Sequence, residues 1–380
     1  MPESHAFEPT VVQVPKSRPK SDQTQESDSG QREIKIPTGV SVDLARAIGG
    51  LTPERYAPQL MARGGEHLVF EFDDPKHRNV VYKVNFHQTL PFLRKGLVYV
   101  EERAAAEHAL QEQIEHRKDQ VTILRDYFGH GAVPVQRLLV RDIPVSWEVV
   151  RQLNPYALPD SSEDVPKTIP AWVSIQRRLA IDPERSVMLR GYYPESPNHL
   201  LKSSDPDAGA VYDDSHDLLV GRIDEAVPSE EQIEMAIDMF PELESVRKRL
   251  TDPEFRACVR ETAKRLVDFT NETGIPLDVV GRNNVFLFKG EHGWEVKMPD
   301  ALSPDLDAQT SDLTRLADML KRGETLSNAD LYSALNCLNT VRFVNALAIV
   351  AGIHGRVVIP GLKDVPGSSW REMFRKAKVL

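Results

Sequence analysis

Several polar positions combine residue types and spacing suited to phosphate chemistry. Lys83 interrupts the strand-like run VVYKVNF. Alternation along a strand puts Val81 and Lys83 on one face and Tyr82 and Val84 on the other. The lysine is then either a cation held for an anion or an edge residue that snorkels to water. Asp278 stands in GIPLDVVGRNNVFLF, Asn283 and Asn284 directly precede the apolar VFLF, and Asp300 closes WEVKMPDAL. Oxygen donors from Asn and Asp suit Mg²⁺, which keeps waters and substrate phosphates as its other ligands. A carboxylate beside such a centre can orient or deprotonate a hydroxyl. Taken singly, each acid is an ordinary turn residue. An acid, an Asn before a hairpin and a second acid after it form a more specific set.

The elements that must position these residues follow from periodicity and punctuation. Short helices are expected at 42–48 and 52–61, the second with Thr52 as cap and Pro53 in its first turn. Runs 68–72 and 80–86, separated by DDPKHRN, predict a β-hairpin. A long helix follows over 98–127, closed by Gly129, Gly131 and Pro134, and then strands at 135–140 and 172–176. Later segments are mostly helical. Ser229 caps EEQIEMAIDM, and Asp252 with Pro253 opens a helix over 254–273 that ends at Gly274. Its residues Phe255, Val259, Ala263, Leu266 and Phe269 share one face. A β-pair at 285–288 and 294–298, joined by KGEHG, precedes helices at 311–321 and 328–352.

On these residues the chain resembles the protein-kinase-like superfamily over roughly 63–352, most of its length. ARGGEHLVFEF resembles a glycine-rich strand-turn-strand over nucleotide phosphates, which gives Gly64 and Gly65 that role. VVYKV resembles the strand bearing the phosphate-contacting lysine, Lys83. LDVVGRNNVFLF resembles the catalytic loop, with Asp278 as base and Asn284 as metal ligand. Asn283 stays open, because it has the family's commoner spacing. VKMPDAL resembles the segment that holds the metal-binding aspartate, Asp300. A helix glutamate should pair with Lys83. Glu101 and Glu102 have nearly the usual separation, whereas Glu107 lies on the expected inward stripe Leu97, Val100, Ala104, Glu107, Gln111, Ile114. The segment 174–179, including Gln176, would be the hinge whose backbone bonds the adenine.

The resemblance implies an α+β, two-lobed fold. A small lobe over 54–178 would hold an antiparallel sheet and one long helix. A larger, mainly helical lobe over 179–355 would contain an acidic insertion at 182–228. Residues 1–37 form a disordered tail, 38–53 a helical extension and 356–380 a C-terminal extension. ATP and Mg²⁺ are the implied cofactors, and the implied reaction is phosphoryl transfer to a hydroxyl-bearing small molecule or protein. The departures are specific: two glycines rather than a full G-x-G-x-x-G, no His-Arg before Asp278, Ala-Leu after Asp300, and no Ala-Pro-Glu. They point to an atypical bacterial kinase or small-molecule phosphotransferase. The alternative is a pseudokinase that binds nucleotide or acts as a scaffold without catalysis.

Composition bounds the other classes. The 380 residues carry 57 acidic and 47 basic side chains. That balance disfavours a general nucleic-acid binder. Residues 195–245 alone hold 14 acidic and 2 basic side chains, so the remainder is close to neutral. No signal-peptide core or apolar run of about 20 residues is seen, so a cytoplasmic protein with no membrane span is expected. Two cysteines make no disulfide framework. His108, Glu112 and His116 recur at helical spacing but lack H-E-x-x-H, and a solvated stripe is the better reading. Residues 205–217 fail the calcium-loop ligand pattern, and no P-loop is present.

Overall fold

The computed structural model describes residues 58–63, 67–72, 79–85, 100–134, 136–144, 168–179, 182, 184–191, 228–279, 284–299, 301, 310–324 and 328–362. The expected tail at 1–37, the helix at 42–48, residues 363–380 of the extension expected at 356–380 and most of the acidic insertion lie outside these residues. The chain is α+β and divides into two units. One comprises residues 1–118 and 135–181, the other 119–134 and 182–380.

The first unit is built on a five-stranded antiparallel sheet: β1 (Pro58–Arg63), β2 (His67–Phe72), β3 (Val80–Asn85), β4 (Gln136–Pro144) and β5 (Thr168–Arg177). Their spatial order is β1-β2-β3-β5-β4. The expected hairpin is present, with Leu68 opposite Val84 and Phe70 opposite Tyr82. The expected helix over 52–61 is overturned where it can be examined. Pro58–Arg63 pairs with β2, with a register shift between Leu60 and Ala62. Ladder formation against β2 outweighs the weak helical pattern of this segment, and Pro58 is tolerated because it opens an edge strand.

The helix α1 (Val100–Phe128) is shared along its length. Leu110 and Ile114 pack with Trp172, Leu138 and Val140 of the first unit. Val121, Leu124 and Phe128 join the core of the second. The buried stripe is therefore Leu110, Ile114, Arg117, Val121, Leu124 and Phe128. Ala104, Glu107 and Gln111 are exposed, which corrects the inward face expected for Glu107. The apolar side chains, not the charged ones, choose the face that is buried. The stripe of His108 and Glu112 is exposed, with the two side chains 3.3 Å apart.

The second unit holds a three-stranded sheet of β6 (Ser186–Leu189), β7 (Val285–Gly290) and β8 (Gly293–Lys297), in the order β6-β7-β8. Strand β6 falls within the stretch expected as an insertion and pairs with β7 along its whole length. Being central, β7 is covered on both edges, and Val285, Phe286 and Leu287 are buried. Gly293, at φ +106°, closes the tight turn to β8 in a conformation that L side chains rarely adopt.

Helices α2 (Glu230–Met239), α3 (Leu243–Arg249), α4 (Pro253–Thr273), α5 (Thr310–Lys321) and α6 (Asn328–Val350) complete this unit, with α3 against β6, α4 against β8 and α6 against the other four helices. Ser229 caps α2 through a reciprocal pair: Gln232 N–H donates to Ser229 Oγ at 3.2 Å, and Ser229 N–H donates to Gln232 Oε1 at 2.9 Å. Part of the acidic tract is neutralised here. Arg247 of α3 donates to Glu234 at 2.6 Å and also pairs with Glu230.

Asp252 caps α4, and Phe255, Val259, Ala263, Leu266 and Phe269 are all buried. Residues 337–350 of α6 are buried on every face. Asn345, which interrupts that apolar run, is satisfied by Val357. Its amide donates to the Val357 carbonyl at 3.1 Å, and the Val357 N–H donates back at 2.7 Å. No helix among the described residues is long and apolar enough to cross a membrane.

Candidate active site

The candidate residues fall in both units. In the first, Lys83 lies opposite Val69 on one side and Ser174 on the other. Directly opposed residues share a face, so Lys83, Ser174 and, by alternation, Trp172 and Gln176 project to one side of the sheet. That side packs on α1 through Trp172, Leu138 and Val140. Lys83 is 9% exposed, and Ser174 and Gln176 are buried beside it. Ser174 Oγ donates to Gln136 Oε1 at 3.4 Å. The sheet thus carries a row of polar groups on its helix-covered face, where apolar side chains would be the default.

Two expectations are corrected in this unit. Gln176 is paired with Val81 of β3 and Gln136 of β4, inside the ladder. The strand is paired on both sides as far as Gln176, Arg177 is paired with Val80 of β3, and the Arg178 N–H donates to the Asn79 carbonyl at 2.8 Å. Gln176 and the residues before it in the segment 174–179 therefore have their backbone groups committed to the sheet. Glu107 is exposed on α1 and off its buried stripe. Glu101 and Glu102 belong to the first turns of the same helix. Gly64 and Gly65 lie outside the described residues.

In the second unit, α4 ends at Gly274, whose φ of +69° turns the chain into the segment leading to Asp278. Leu277 and Val279 are buried at 1% and 0% exposure. Asp278 between them is half-buried. The two apolar neighbours therefore anchor the loop, and Asp278 between them is only partly covered.

Three bonds fix this backbone. Asp278 N–H donates to the Ala301 carbonyl at 2.9 Å, and Gly191 N–H donates to the Val279 carbonyl at 2.7 Å. Asn284 Nδ2 donates to the Asp278 carbonyl at 3.0 Å. Asn284 is 7% exposed and directly precedes β7. Its amide nitrogen closes the loop from 278 to 284 and leaves its amide oxygen as an acceptor. The segment after β8 is also pinned, because Met298 N–H donates to the Ala132 carbonyl at 2.7 Å. The structure therefore brings Asp278 and Asn284 together and ties Asp278 to Ala301, the neighbour of Asp300. Asn283 and Asp300 themselves lie outside the described residues. Among the described residues, no three His, Cys, Asp or Glu side chains gather as a metal-binding group.

Gly191 escaped the sequence reading. A Cβ there would sit 2.9 Å from Phe343 Cγ, so the backbone runs against the ring. The bare Arg-Gly-Tyr context gave no signal, because the need for glycine comes from a helix about 150 residues later in the chain. No family model, curated protein or solved structure matches the chain.

Proposed function

We propose that this protein is an atypical ATP-dependent phosphotransferase that passes a phosphoryl group to a hydroxyl acceptor. The observation that carries this reading is the tie among Asn284, Asp278 and Ala301. It ties Asp278 to Asn284 and to Ala301, which supports a shared site with Asp300 in the adjoining segment. Further support comes from a buried strand lysine, Lys83, on the helix-covered face of an antiparallel sheet. The antiparallel sheet with one long helix, and the second unit rich in helices, suit a two-lobed protein-kinase-like fold.

In this reading, Lys83 binds the nucleotide phosphates as a fixed positive charge. Asp278 orients the acceptor hydroxyl. As the new bond forms between the acceptor oxygen and the γ-phosphorus, the bond from that phosphorus to the β,γ-bridging oxygen breaks, and ADP leaves. The acceptor's proton passes to the Asp278 carboxylate and then to solvent. Asn284, through its amide oxygen, and Asp300 are oxygen donors that fit Mg²⁺. Mg²⁺, when bound, supplies neutralisation of the phosphate charge. Such chemistry asks the chain mainly for positioning, which the bonds at Asp278 and Asn284 provide.

The test is ATP turnover and binding by the full chain. Asp278→Ala is expected to lower turnover by about 100-fold or more while nucleotide binding persists. Lys83→Ala is expected to weaken nucleotide binding. Unchanged turnover in both variants refutes the assignment. Saturable ATP binding without turnover in the unaltered protein selects a nucleotide-binding scaffold instead, and absence of both defeats either reading.

A further inference from the structure

Beyond the end of α6 the chain turns back over residues 351–356, and this turn holds a charged group that the proposed reaction does not use. Ala351 N–H donates to the Leu347 carbonyl at 2.8 Å, Gly352 N–H to that of Ile349 at 3.0 Å and Ile353 N–H to that of Ala348 at 3.0 Å. The Arg356 side chain folds back onto this turn. Its Nη1 donates to the Ile353 carbonyl at 2.6 Å and to the Gly355 carbonyl at 2.7 Å. Those two bonds use one nitrogen of three. Nε and Nη2 are buried and make no hydrogen bond. The residue as a whole is 8% exposed.

The Nε and Nη2 edge of a guanidinium presents two parallel N–H donors, the geometry that receives two oxygens of one oxyanion. Leaving such donors unmade in the interior is costly, more so for a charged group. Burial pushes the Arg356 guanidinium down to about 10. The backbone cannot withdraw to relieve it. Asn271 of α4 grips both sides, donating to the Arg356 carbonyl at 2.9 Å and accepting from Val358 N–H at 3.2 Å. Val357 between them is held by Asn345.

Other positive charge stands close by. Arg260 Nη1 lies 3.9 Å from where a Cβ on Gly352 would sit. Arg260 and His354 are exposed, and His354 is on the same turn. Two guanidiniums around one turn favour a dianion over a monoanion.

We propose that Arg356 anchors an oxyanion site that takes a phosphate group, approached beside His354 and Gly355. The site stands independently of the phosphotransferase reading, since none of its residues belongs to the loop at Asp278. The fork is covered at rest, so occupancy requires the exposed residues His354 and Gly355 to shift while 356–358 stay held, a change that amide exchange can follow.

The full-length protein is titrated with inorganic phosphate, phenyl phosphate and acetate at matched ionic strength, with thermal unfolding and calorimetry as readouts. Saturable stabilisation by phosphate or phenyl phosphate is expected, and the tighter of the two identifies a free ion or a monoester as the ligand form. Arg356→Lys keeps the charge but loses the fork, and is expected to bind at least about tenfold more weakly. Equal binding by Arg356→Lys, or an equal response to acetate, overturns the proposal. Should that variant fail to fold, the arginine Nε–H resonance of the unaltered protein decides. A downfield shift saturating with phosphate supports the site, and no shift refutes it.

Discussion

Gly191→Ala tests the geometry that holds the candidate loop. A Cβ at this position would lie 2.9 Å from Phe343 Cγ, 3.0 Å from its Cβ and 3.3 Å from its Cδ2. Ordinary carbon contacts begin near about 3.5 Å, so roughly half an ångström must be found. Phe343 cannot give it. The side chain is 0% exposed, and its ring meets Phe240 edge-on at 5.3 Å. The backbone at 191 must lift instead, and its N–H bond to the Val279 carbonyl, now 2.7 Å, lengthens or breaks. Overpacking of this kind costs about 1–3 kcal/mol, and the hydrogen bond adds about 1 kcal/mol. In a domain of this size that corresponds to a fall in Tm of about 2–4 °C per kcal/mol. The assay is urea unfolding of the single variants Gly191→Ala and Phe343→Leu and of the double variant. The denaturation midpoint should fall for Gly191→Ala at unchanged slope. The smaller leucine side chain of Phe343→Leu should restore part of the loss, giving a coupling of about 1 kcal/mol. Wild-type stability in Gly191→Ala, or additive effects in the double variant, would refute the packing argument. If Asp278 acts as proposed, turnover falls as well, although residue 191 touches no reacting group.

Three further outcomes follow from other contacts. Asn284→Asp should destabilise the second unit more than Asn284→Ala, because it sets a carboxylate against the Asp278 carbonyl that the amide now serves. Urea unfolding at pH 7 checks the order, and equal losses would contradict it. The Phe255 N–H foremost, with the Trp294 indole and the Glu254 N–H, holds the Asp252 carboxyl below the usual carboxylate range. A lowered folded value means that its contribution is present above about pH 4 and lost as pH falls through the folded value. Asp252→Ala should therefore flatten the acid limb of the stability profile, and an unchanged limb would contradict this. Burial pushes the Cys258 thiol up to about 11, and Cys337 is 1% exposed. At pH 8 the native thiolate fraction of Cys258 is about one in a thousand, so both thiols should react with Ellman's reagent only on unfolding. Rapid native labelling would refute this.

Local signals sufficed where the residues that determine an element are neighbours in sequence. The cap at Ser229, the cap and apolar face of α4, and the β7-β8 hairpin were legible because capping, 3.6-residue periodicity and tight turns act over a few residues. The same range placed Lys83 in a strand and Asp278 and Asn284 on either side of one loop. Elements whose only support is a distant partner were not legible. Ser186–Leu189 is a strand because β7, far along the chain, pairs with it, whereas Pro58–Arg63 pairs with the adjacent β2 and is obscured only by the weak helical pattern of 52–61. Arg117 lies on the buried stripe of α1 and Glu107 outside it, because the apolar surface of the sheet selects the face.

The sequence by itself determined the residue types available for chemistry and the local segments that carry them. Tertiary structure decided which of them are buried, which share a face and which backbone groups remain free. It removed Gln176 from the hinge by pairing its strand on both sides, and it made Gly191 obligatory by placing Phe343 against it. It also left two donors of Arg356 without acceptors. The physical reason is one of range: dihedral preference and capping act between neighbours, whereas burial and hydrogen-bond satisfaction depend on groups brought together only by the folded chain.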